Sequence, residues 1–336
     1  MIRNKKIVVV GATGLVGREM LRILLGSGVP ISNICAAASS KSAGTRISLD
    51  GESIDVFDAN HIDFGGFDIA FFSAGSKVSE ALVPIAAARG CLVVDNTSHF
   101  RMHDDVPLVI PEVNFNDIHN YPKQNIIANP NCSTIQMVMP LKPLHDLFTL
   151  KEVVVSTYQS VSGAGQKGVS ELMRQITDIN NDQVPIIEHF KKQIAYNIIP
   201  QIDDFTESKY TNEEFKMMNE TKKILKLVDV DITATCVRVP VIVGHAVSVF
   251  AKFKRDVNTN EALQAIKSFP GIKVIDDDDY STQMDAAGQD EVFVSRIRRH
   301  PNLKNGLSFW CVADNLRKGA ALNAIQIAQR MSNRSI

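Results

Sequence analysis

Short apolar runs alternate with helical patterns along the first 130 or so residues. Four continuous apolar runs, typical of buried strands, lie at 7–10, 34–38, 69–72 and 91–94. The stretch 15–25 carries apolar residues at helical spacing, and 81–88 is typical of a second helix that ends at Arg89-Gly90. Strands and helices in alternation predict βαβ units and a parallel sheet covered on both faces.

The pattern changes after about residue 150. Strand-like runs rich in β-branched residues lie at 153–158, 231–241, 246–253, 273–275, 291–297 and 307–312. Helical stretches lie between them at about 165–180, 212–228 and 258–268, and 315–331 returns to an alanine-rich helical pattern. The second part of the chain is therefore predicted to be a mixed α+β domain.

Glycines punctuate the turn between the first strand and the first helix. Gly11, Gly14 and Gly17 are spaced G-x-x-G-x-x-G, a variant of the Rossmann fingerprint. In that motif the first glycine permits a tight turn, the second admits a pyrophosphate, and the third lets the helix pack close to the sheet. The motif predicts a dinucleotide site, with an ordinary glycine turn as the alternative.

The end of the second strand indicates which dinucleotide is bound. An NAD site would place an Asp or Glu there for the ribose 2′-hydroxyl. This chain has Ala38-Ser39-Ser40-Lys41-Ser42, which offers hydroxyls and a cation instead of a carboxylate. These groups suit a 2′-phosphate, so NADP(H) is the predicted cofactor, with a solvated serine-rich loop as the alternative.

Asn129-Pro130-Asn131-Cys132-Ser133-Thr134 precedes a helix-like apolar run from 135 to 144. Ser, Thr and Asn favour helix starts, and the N-terminal end of a helix carries partial positive charge. A thiol held there ionises more easily, and the thiolate is the nucleophile. Cys132 is thus a candidate nucleophile, although a lone cysteine can also be a small buried hydrophobe. Pro140, inside this run, predicts a kink in the helix.

Polar residues at other strand ends could serve the same chemistry. Arg238 and His245 are separated by seven residues across a Pro/Gly break, so both side chains could face one cleft. A histidine is the usual acid/base partner of a cysteine. The stretch 159–165 follows a strand and is predicted to be a flexible, polar, glycine-rich loop. Arg101, after the strand ending near Asp95, is a candidate anion clamp.

Composition removes several classes of function. The 336 residues are 45% hydrophobic and 22% charged with a net charge of −1, so no global field favours nucleic acid or an anionic membrane. No signal peptide or membrane span is apparent, and a cytoplasmic location is expected. The five cysteines are odd in number, far apart and lack a C-x-x-C pair, which argues against a disulfide framework or zinc site. Asp276–Asp279 is predicted to be a solvated loop, so no metal is expected.

The ordered set of motifs resembles bacterial aspartate-β-semialdehyde dehydrogenases over almost the whole chain. The matching segments are GATGLVG at 11–17, SSKS at 39–42, SHFR at 98–101, NPNCST at 129–134, YQSVSGAG at 158–165, ETKKIL at 220–225, RVPVIVGH at 238–245, DEVFVSRIRR at 290–299 and DNLRKGAALNA at 314–324. The resemblance implies an α/β fold, with a Rossmann-type nucleotide-binding domain at 1–130 plus 315–336. It implies a mixed α+β catalytic and dimerisation domain at 131–314.

The resemblance also implies a role for each matching residue. Cys132 would accept the acyl group, His245 would be the acid/base and Gln159 would orient the substrate. Arg238 would bind the substrate carboxylate and Glu220 its ammonium. The phosphate would be bound by Arg101, Asn131 and Lys223. The cofactor would contact Gly11, Thr13, Gly14, Leu15 and Val16 at its pyrophosphate, Ser39, Lys41 and Ser42 at its 2′-phosphate, and Ser162, Gly163 and Asn315 at its nicotinamide.

The reaction implied is NADPH-dependent reductive dephosphorylation of L-aspartyl-4-phosphate to L-aspartate-4-semialdehyde in lysine, threonine, methionine and diaminopimelate biosynthesis. A homodimer is expected. The alternatives are N-acetyl-γ-glutamyl-phosphate reductase, whose acylated amine would match Glu220 poorly, and a catalytically silent nucleotide-binding homologue. A glyceraldehyde-phosphate-type dehydrogenase would be expected to carry a different cysteine motif.

Overall fold

A computed structural model describes residues 1–49, 51–120, 125–275 and 279–333. Most of the Asp276–Asp279 run therefore lies outside the described residues. The chain divides into two compact units, one made of Met1–Asn131 with Ala320–Ile336 and the other of Cys132–Gly319. The domain boundaries predicted from the sequence lie between residues 130 and 131 and between residues 314 and 315.

The first unit alternates strands and helices. Its elements up to Asn131 are β1 (Ile7–Val10), α1 (Leu15–Gly26), β2 (Ile34–Ala38), β3 (Arg46–Leu49), β4 (Glu52–Asp58), β5 (Ile69–Phe72), α2 (Ser76–Ala88), β6 (Leu92–Asp95), α3 (Pro111–Asn114) and β7 (Ile126–Ala128). The strands form a seven-stranded sheet in the order β3-β4-β2-β1-β5-β6-β7. Because β1 pairs in parallel with both β2 and β5, the chain reverses its direction of travel across the sheet at β1.

The prediction of a purely parallel sheet is wrong at one edge. β3 pairs antiparallel with β4, and neither strand was predicted from the sequence. Burial alternates along both strands, so neither contains the continuous apolar run that indicates a doubly covered strand. The three-residue β7 was missed because it is too short for a periodic signal.

The second unit is a mixed sheet with helices. Its elements are α4 (Cys132–Phe148), β8 (Leu150–Gln159), α5 (Gly165–Asn180), α6 (Asn212–Leu225), β9 (Asp231–Arg238), β10 (His245–Phe253), α7 (Thr259–Lys267), β11 (Ile272–Val274), α8 (Gln283–Ala286), β12 (Val292–Arg299) and β13 (Gly306–Ala313). A six-stranded sheet has the order β11-β12-β13-β10-β8-β9. β10 is antiparallel to β8 and β13, whereas β8 and β9 run in parallel, which confirms the expected mixed α+β character. The chain then returns to the first unit with α9 (Leu322–Ser332).

One local prediction needs correction. The segment after β8 is not a flexible loop, because Val161–Ala164 forms a 3-10 turn that leads directly into α5, and Ser160 and Val161 are fully buried. In α4 the helix assignment continues through both Pro140 and Pro143 to Phe148. Within the described residues, no helix is both long and apolar enough to cross a membrane.

Candidate active site

Three predicted site residues form one row across the second sheet. In the strand register His245 of β10 faces Gln159 of β8, and Gln159 faces Arg238 of β9. Directly paired residues have side chains on the same face of a sheet, with Cβ atoms about 5 Å apart. All three are at most 5% exposed. The sheet register therefore groups an imidazole, a carboxamide and a guanidinium at the ends of neighbouring strands.

Arg238 is held by the strand turn beside it. Its Nη1 donates to the Ser160 carbonyl oxygen over 2.7 Å. Burial lowers the pKa of Arg238 from its ordinary value, while Glu213 and Cys132 act in the opposite direction. A guanidinium nonetheless stays protonated in proteins. Arg238 is therefore a fixed buried cation suited to a carboxylate.

Gly163 lines the space in front of this row. A Cβ built on Gly163 would lie 2.8 Å from Arg238 Nη1 and 3.1 Å from His245 Nε2. Gly163 itself is exposed, so solvent reaches the site at this point. Any larger residue there would fill the space next to the arginine and the histidine.

His245 is fully buried, and its two ring nitrogens differ in surroundings. Nδ1 accepts a hydrogen bond from the Ser160 backbone N–H at 3.0 Å. Nε2 is buried without a hydrogen-bond partner among the described residues. Burial, reinforced by the charge of Arg238, lowers the pKa of His245 to about 3. The imidazole is therefore neutral near pH 7, with Nε2 available for a reacting group.

Cys132 is the first residue of α4 and is half-buried, as expected for a nucleophile at a helix N-terminus. Its surroundings include Arg238, whose pKa it influences, and Gly319, where a Cβ would lie 2.9 Å from the Cys132 Cβ. One helical turn further on, Gln136 Nε2 donates to the His245 backbone carbonyl at 3.0 Å. α4 is thus tied to the strand that carries the histidine.

The other four cysteines are poor nucleophiles. Burial raises the pKa of the Cys35 thiol and of the Cys91 thiol to about 11. Burial also raises the pKa of Cys236 and of Cys311 far above the ordinary thiol range. None of these four sulfurs is a thiolate near neutral pH, which leaves Cys132 as the candidate.

A carboxylate that the sequence analysis did not single out lies at Gln159. Gln159 Nε2 donates to Glu213 Oε1 at 3.0 Å, and Glu213 is 5% exposed. Glu213 Oε2 also pairs with Lys216 Nζ at 3.2 Å. Burial opposes the charge on Lys216, but Glu213 and Asp203 outweigh it and raise the pKa of this lysine. Glu213 and Lys216 therefore extend the row as an ionised pair.

Glu220 and Lys223 lie on the same helix, seven residues further on. Glu220 is buried and Lys223 is half-buried. The E-x-x-K spacing occurs at both 213–216 and 220–223, two turns apart on one face of α6, so the spacing could not distinguish the two pairs. Glu213 is added to the site because of its contact with Gln159.

Ser162 and Asn315 meet behind the histidine. Asn315 Oδ1 accepts from the Gly244 N–H at 2.8 Å and from Ser162 Oγ at 3.2 Å. Asn315 Nδ2 in turn donates to Ser162 Oγ at 3.0 Å. Both side chains are buried, and with Gly163 they bring the three residues expected near a nicotinamide next to His245.

The first unit contains the glycine turn, and its shape fits a pyrophosphate. Gly11 has φ +91°, and a Cβ there would lie 2.4 Å from the Ser73 carbonyl oxygen. A Cβ on Gly17 would lie 2.2 Å from the Gly11 carbonyl oxygen. A Cβ on Gly14, by contrast, would meet only the Gly11 carbonyl oxygen, at 3.4 Å, and α1 begins after it without a side-chain cap. The N–H groups at the start of α1, near Thr13, Leu15 and Val16, are therefore free for an anion.

The loop after β2 carries Ser39, Lys41 and Ser42 at the protein surface. Ser39 and Lys41 are exposed, and the Ser42 N–H closes the turn onto the Ser39 carbonyl at 2.8 Å. The one carboxylate at the end of the neighbouring β4, Asp58, is engaged by Ser40 and by the Asn60 N–H, which lower its pKa. Hydroxyls and a cation thus remain available for a 2′-phosphate.

Arg101 and Asn131 also belong to the first unit. Arg101 is buried after β6, and its guanidinium donates to the Asn129 and Asn96 carbonyl oxygens, each at 2.9 Å. Asn131 is buried directly before Cys132. Among the described residues, no group of three or more His, Cys, Asp or Glu side chains is arranged to hold a metal ion.

The glycine turn after a central strand and the row His245–Gln159–Arg238 define the protein as a nucleotide-binding dehydrogenase. A family model described as semialdehyde dehydrogenase, NAD binding domain, matches residues 6–121. A second, semialdehyde dehydrogenase, dimerisation domain, matches residues 141–318.

Similar proteins refine this class. The chain is 46% identical to aspartate-semialdehyde dehydrogenase of Bacillus subtilis, over 98% of each chain. It superposes with a TM-score of 0.95, at 42% identity and 98% coverage of each chain, on aspartate semialdehyde dehydrogenase II of Vibrio cholerae complexed with ASA. The Candida albicans enzyme with NADP superposes with a TM-score of 0.75, at 26% identity and 98% coverage of each chain. The chain belongs to the aspartate-semialdehyde dehydrogenase family.

Proposed function

We propose that this protein catalyses the reversible, NADPH-dependent reductive dephosphorylation of L-aspartyl-4-phosphate to L-aspartate-4-semialdehyde. The main observation behind this proposal is the row His245–Gln159–Arg238, extended by Glu213. It groups an acid/base, an amide and both charges needed to hold an α-amino acid. The B. subtilis relative and the V. cholerae structure complexed with ASA support the same substrate.

The charges favour this substrate over its closest alternative. Arg238 suits the α-carboxylate, and Glu213 suits the α-ammonium, since charge-assisted hydrogen bonds are stronger than neutral ones. N-acetyl-γ-glutamyl phosphate carries an acylated amine with no charge, so it cannot make the charge-assisted hydrogen bond that an ammonium makes with a carboxylate. We propose that the ammonium binds at the carboxylates of α6, Glu220 and Glu213, of which Glu213 is bonded to Gln159.

The reaction divides into two steps at Cys132. Its sulfur attacks the acyl carbon, the carbon–oxygen bond to phosphate breaks, and a thioester remains. We propose that Arg101, Asn131 and Lys223 bind the phosphate, with the two cations balancing its charge. Gln159 orients the acyl group. The thioester then becomes a hemithioacetal, and breaking its carbon–sulfur bond releases the aldehyde and restores the thiol.

His245 moves the protons of both steps at Nε2, the nitrogen without a partner among the described residues. It takes the thiol proton before attack and supplies a proton to the oxygen of the hemithioacetal. The residues that would hold NADP(H) are Gly11, Thr13, Gly14, Leu15, Val16, Ser39, Lys41, Ser42, Ser162, Gly163 and Asn315. When bound, the reduced cofactor supplies the hydride that reduces the thioester carbonyl.

We also infer a homodimer, since the second unit matches a dimerisation-domain model. The assignment of the first unit to NADP(H) and of the second to catalysis and dimerisation forms part of this proposal. The cytoplasmic location also forms part of this proposal. It is supported by the predicted reliance on a free thiol. The product would enter lysine, threonine, methionine and diaminopimelate biosynthesis.

A burst experiment tests the thioester. With L-aspartate semialdehyde and NADP but no phosphate, the enzyme should form at most one equivalent of NADPH per site, because the acyl group stays on Cys132. Adding phosphate should start continuous turnover. Turnover at the full rate without phosphate would show that no acyl-enzyme waits for phosphate and would exclude this mechanism.

A further inference from the structure

A buried serine separates His245 from Asn315. Ser160 is fully buried, and its Oγ lies 3.1 Å from His245 Nδ1 and 3.1 Å from Asn315 Oδ1. None of the roles assigned above uses this hydroxyl. We propose that Ser160 and Asn315 form a relay that sets which ring nitrogen of His245 carries the proton, and so whether His245 can act as a base. This inference rests on the proposed acid/base role of His245.

The orientation of Asn315 is fixed by an unambiguous donor. The Gly244 backbone N–H donates to Asn315 Oδ1 at 2.8 Å, so this atom is an acceptor. A hydroxyl is both donor and acceptor, and it rotates to suit its neighbours. When Ser160 Oγ donates to Asn315 Oδ1, its lone pairs are free to accept a hydrogen bond from Nδ1–H.

The backbone N–H of Ser160 favours the other arrangement, in which Nδ1 carries no proton. Its N–H points at Nδ1 from 3.0 Å and can only donate. In that arrangement Nδ1 is unprotonated, and a neutral imidazole carries its proton on Nε2. Such a histidine can give a proton at Nε2 but cannot receive one there.

The hydroxyl provides the alternative tautomer. A small rotation of the ring exchanges the Ser160 N–H for Ser160 Oγ as the partner of Nδ1. Nδ1–H then donates a hydrogen bond to Ser160 Oγ, and the hydroxyl donates one to Asn315 Oδ1. The ring gives up its Nε2 proton to solvent water and takes one at Nδ1 from solvent water, so this exchange is neutral overall. The Nε2 lone pair can then take the Cys132 thiol proton, which leaves a thiolate and an imidazolium with a proton on each nitrogen.

The charged groups around His245 make a hydrogen-bond acceptor at Nδ1 necessary. Arg238, from β9, opposes a second positive charge, and Glu213, from α6, favours it. Cys132, at the start of α4, acts on Arg238. Asp314, next to the β13 residue paired with His245, already accepts from the N–H groups of Gly288, Leu316 and Arg317. A neutral acceptor at Nδ1 is therefore the group that can stabilise the His245 imidazolium at its second N–H.

The first test is nitrogen-15 NMR of the histidine ring in the full-length protein. His245→Gln identifies the signal among the eight histidines. The wild-type protein at pH 8 should show partial protonation of Nδ1, and Ser160→Ala should show protonation at Nε2 alone. Identical tautomer populations in the two proteins, or a wild-type His245 protonated only at Nε2 from pH 6 to 9, would overturn the relay.

The second test is the rate of Cys132 alkylation by iodoacetamide. Ser160→Ala should slow the reaction about tenfold at pH 7, as expected for the loss of one hydrogen bond to a charged group. The two proteins should converge at pH 10, where the thiol ionises without help. Equal rates at pH 7, or an equal slowing at both pH values, would contradict the relay. Ser170→Ala, on the exposed face of α5, is the matched serine control and should match the wild type.

Neither measurement needs NADP or aspartate semialdehyde. A protein that passes both tests but does not turn over aspartate semialdehyde would refute the proposed function and leave the relay standing. A protein that turns over this substrate but shows no effect of Ser160 would refute the relay alone.

Discussion

At the scale of single residues, the chemistry depends on which sulfur can ionise. Four of the five thiols have a pKa raised by burial, and Cys132 alone begins a helix. We expect Cys132→Ala to abolish turnover while NADP still binds, because the acyl group then has no acceptor. Steady-state assays with a cofactor titration measure both effects. Cys35→Ala, on β2, is the control that should remain active.

The two carboxylates of α6 can be separated by mutation. Glu213→Gln should raise the KM for aspartate semialdehyde about tenfold or more, because a charge-assisted hydrogen bond is lost. Glu220→Gln, at the carboxylate that the sequence resemblance assigns to the ammonium, should raise the KM as well. An unchanged KM in either variant would remove that carboxylate from the substrate site.

His245 also links stability to pH. Its pKa lies near 6.5 in an unfolded chain and falls to about 3 in the fold. Between these values the unfolded state binds a proton that the native state does not, so acid lowers the free energy of unfolding. Between pH 6.5 and 5 this loss amounts to about 2 kcal/mol.

Urea denaturation at these two pH values measures the effect. His245→Gln should lose less stability on acidification than the wild type, because the titrating group is gone. His61→Gln, at a side chain 84% exposed, controls for the replacement of a histidine. The same pH dependence in wild type and His245→Gln would refute this attribution.

At the scale of elements, the site forms where the turn after β8 meets the ends of β9 and β10. Gly163 keeps that space open. We expect Gly163→Ala to lower kcat/KM at least tenfold with little change in thermal stability, because the new methyl group would contact Arg238 and His245. Gly26→Ala is a matched control, since a Cβ there meets nothing within 4 Å. Equal activity of the two variants would show that the cleft is wider than described.

Elements also explain what the sequence could and could not predict. The buried strands β1, β2 and β5 and the glycine turn have strong local signals, so they were found. The β3–β4 hairpin was missed because its burial alternates, and the segment after β8 was misjudged as flexible because its polar residues pack against His245 and Asn315. Glu213 was missed because its contact with Gln159 joins residues 54 positions apart. Such contacts leave no local pattern.

At the scale of the whole molecule, one face of the second sheet has the features of a subunit interface. Val154, in the middle of the inner strand β8, is 41% exposed and pairs in register with the half-buried Phe250. An exposed apolar patch on an inner strand is typical of a surface covered by another chain. The homodimer is expected to use it.

Introducing one charged residue into this surface tests the interface. Val154→Asp should shift the protein from dimer to monomer, because an unpaired carboxylate would be buried between subunits. Light scattering during size-exclusion chromatography measures the mass. Val228→Asp, at a loop residue 88% exposed, should stay dimeric. A dimeric Val154→Asp variant would place the interface elsewhere.

The most direct test of the whole account is phosphate-dependent reduction of NADP, followed as NADPH absorbance, with two substrates in parallel. We predict activity with L-aspartate semialdehyde and none with N-acetylglutamate semialdehyde, because Arg238 and Glu213 match a free α-amino acid. Activity with the acetylated substrate alone would contradict the role given to Glu213. Activity with neither, in a folded protein that binds NADP, would mean that the row at the strand ends is catalytically silent.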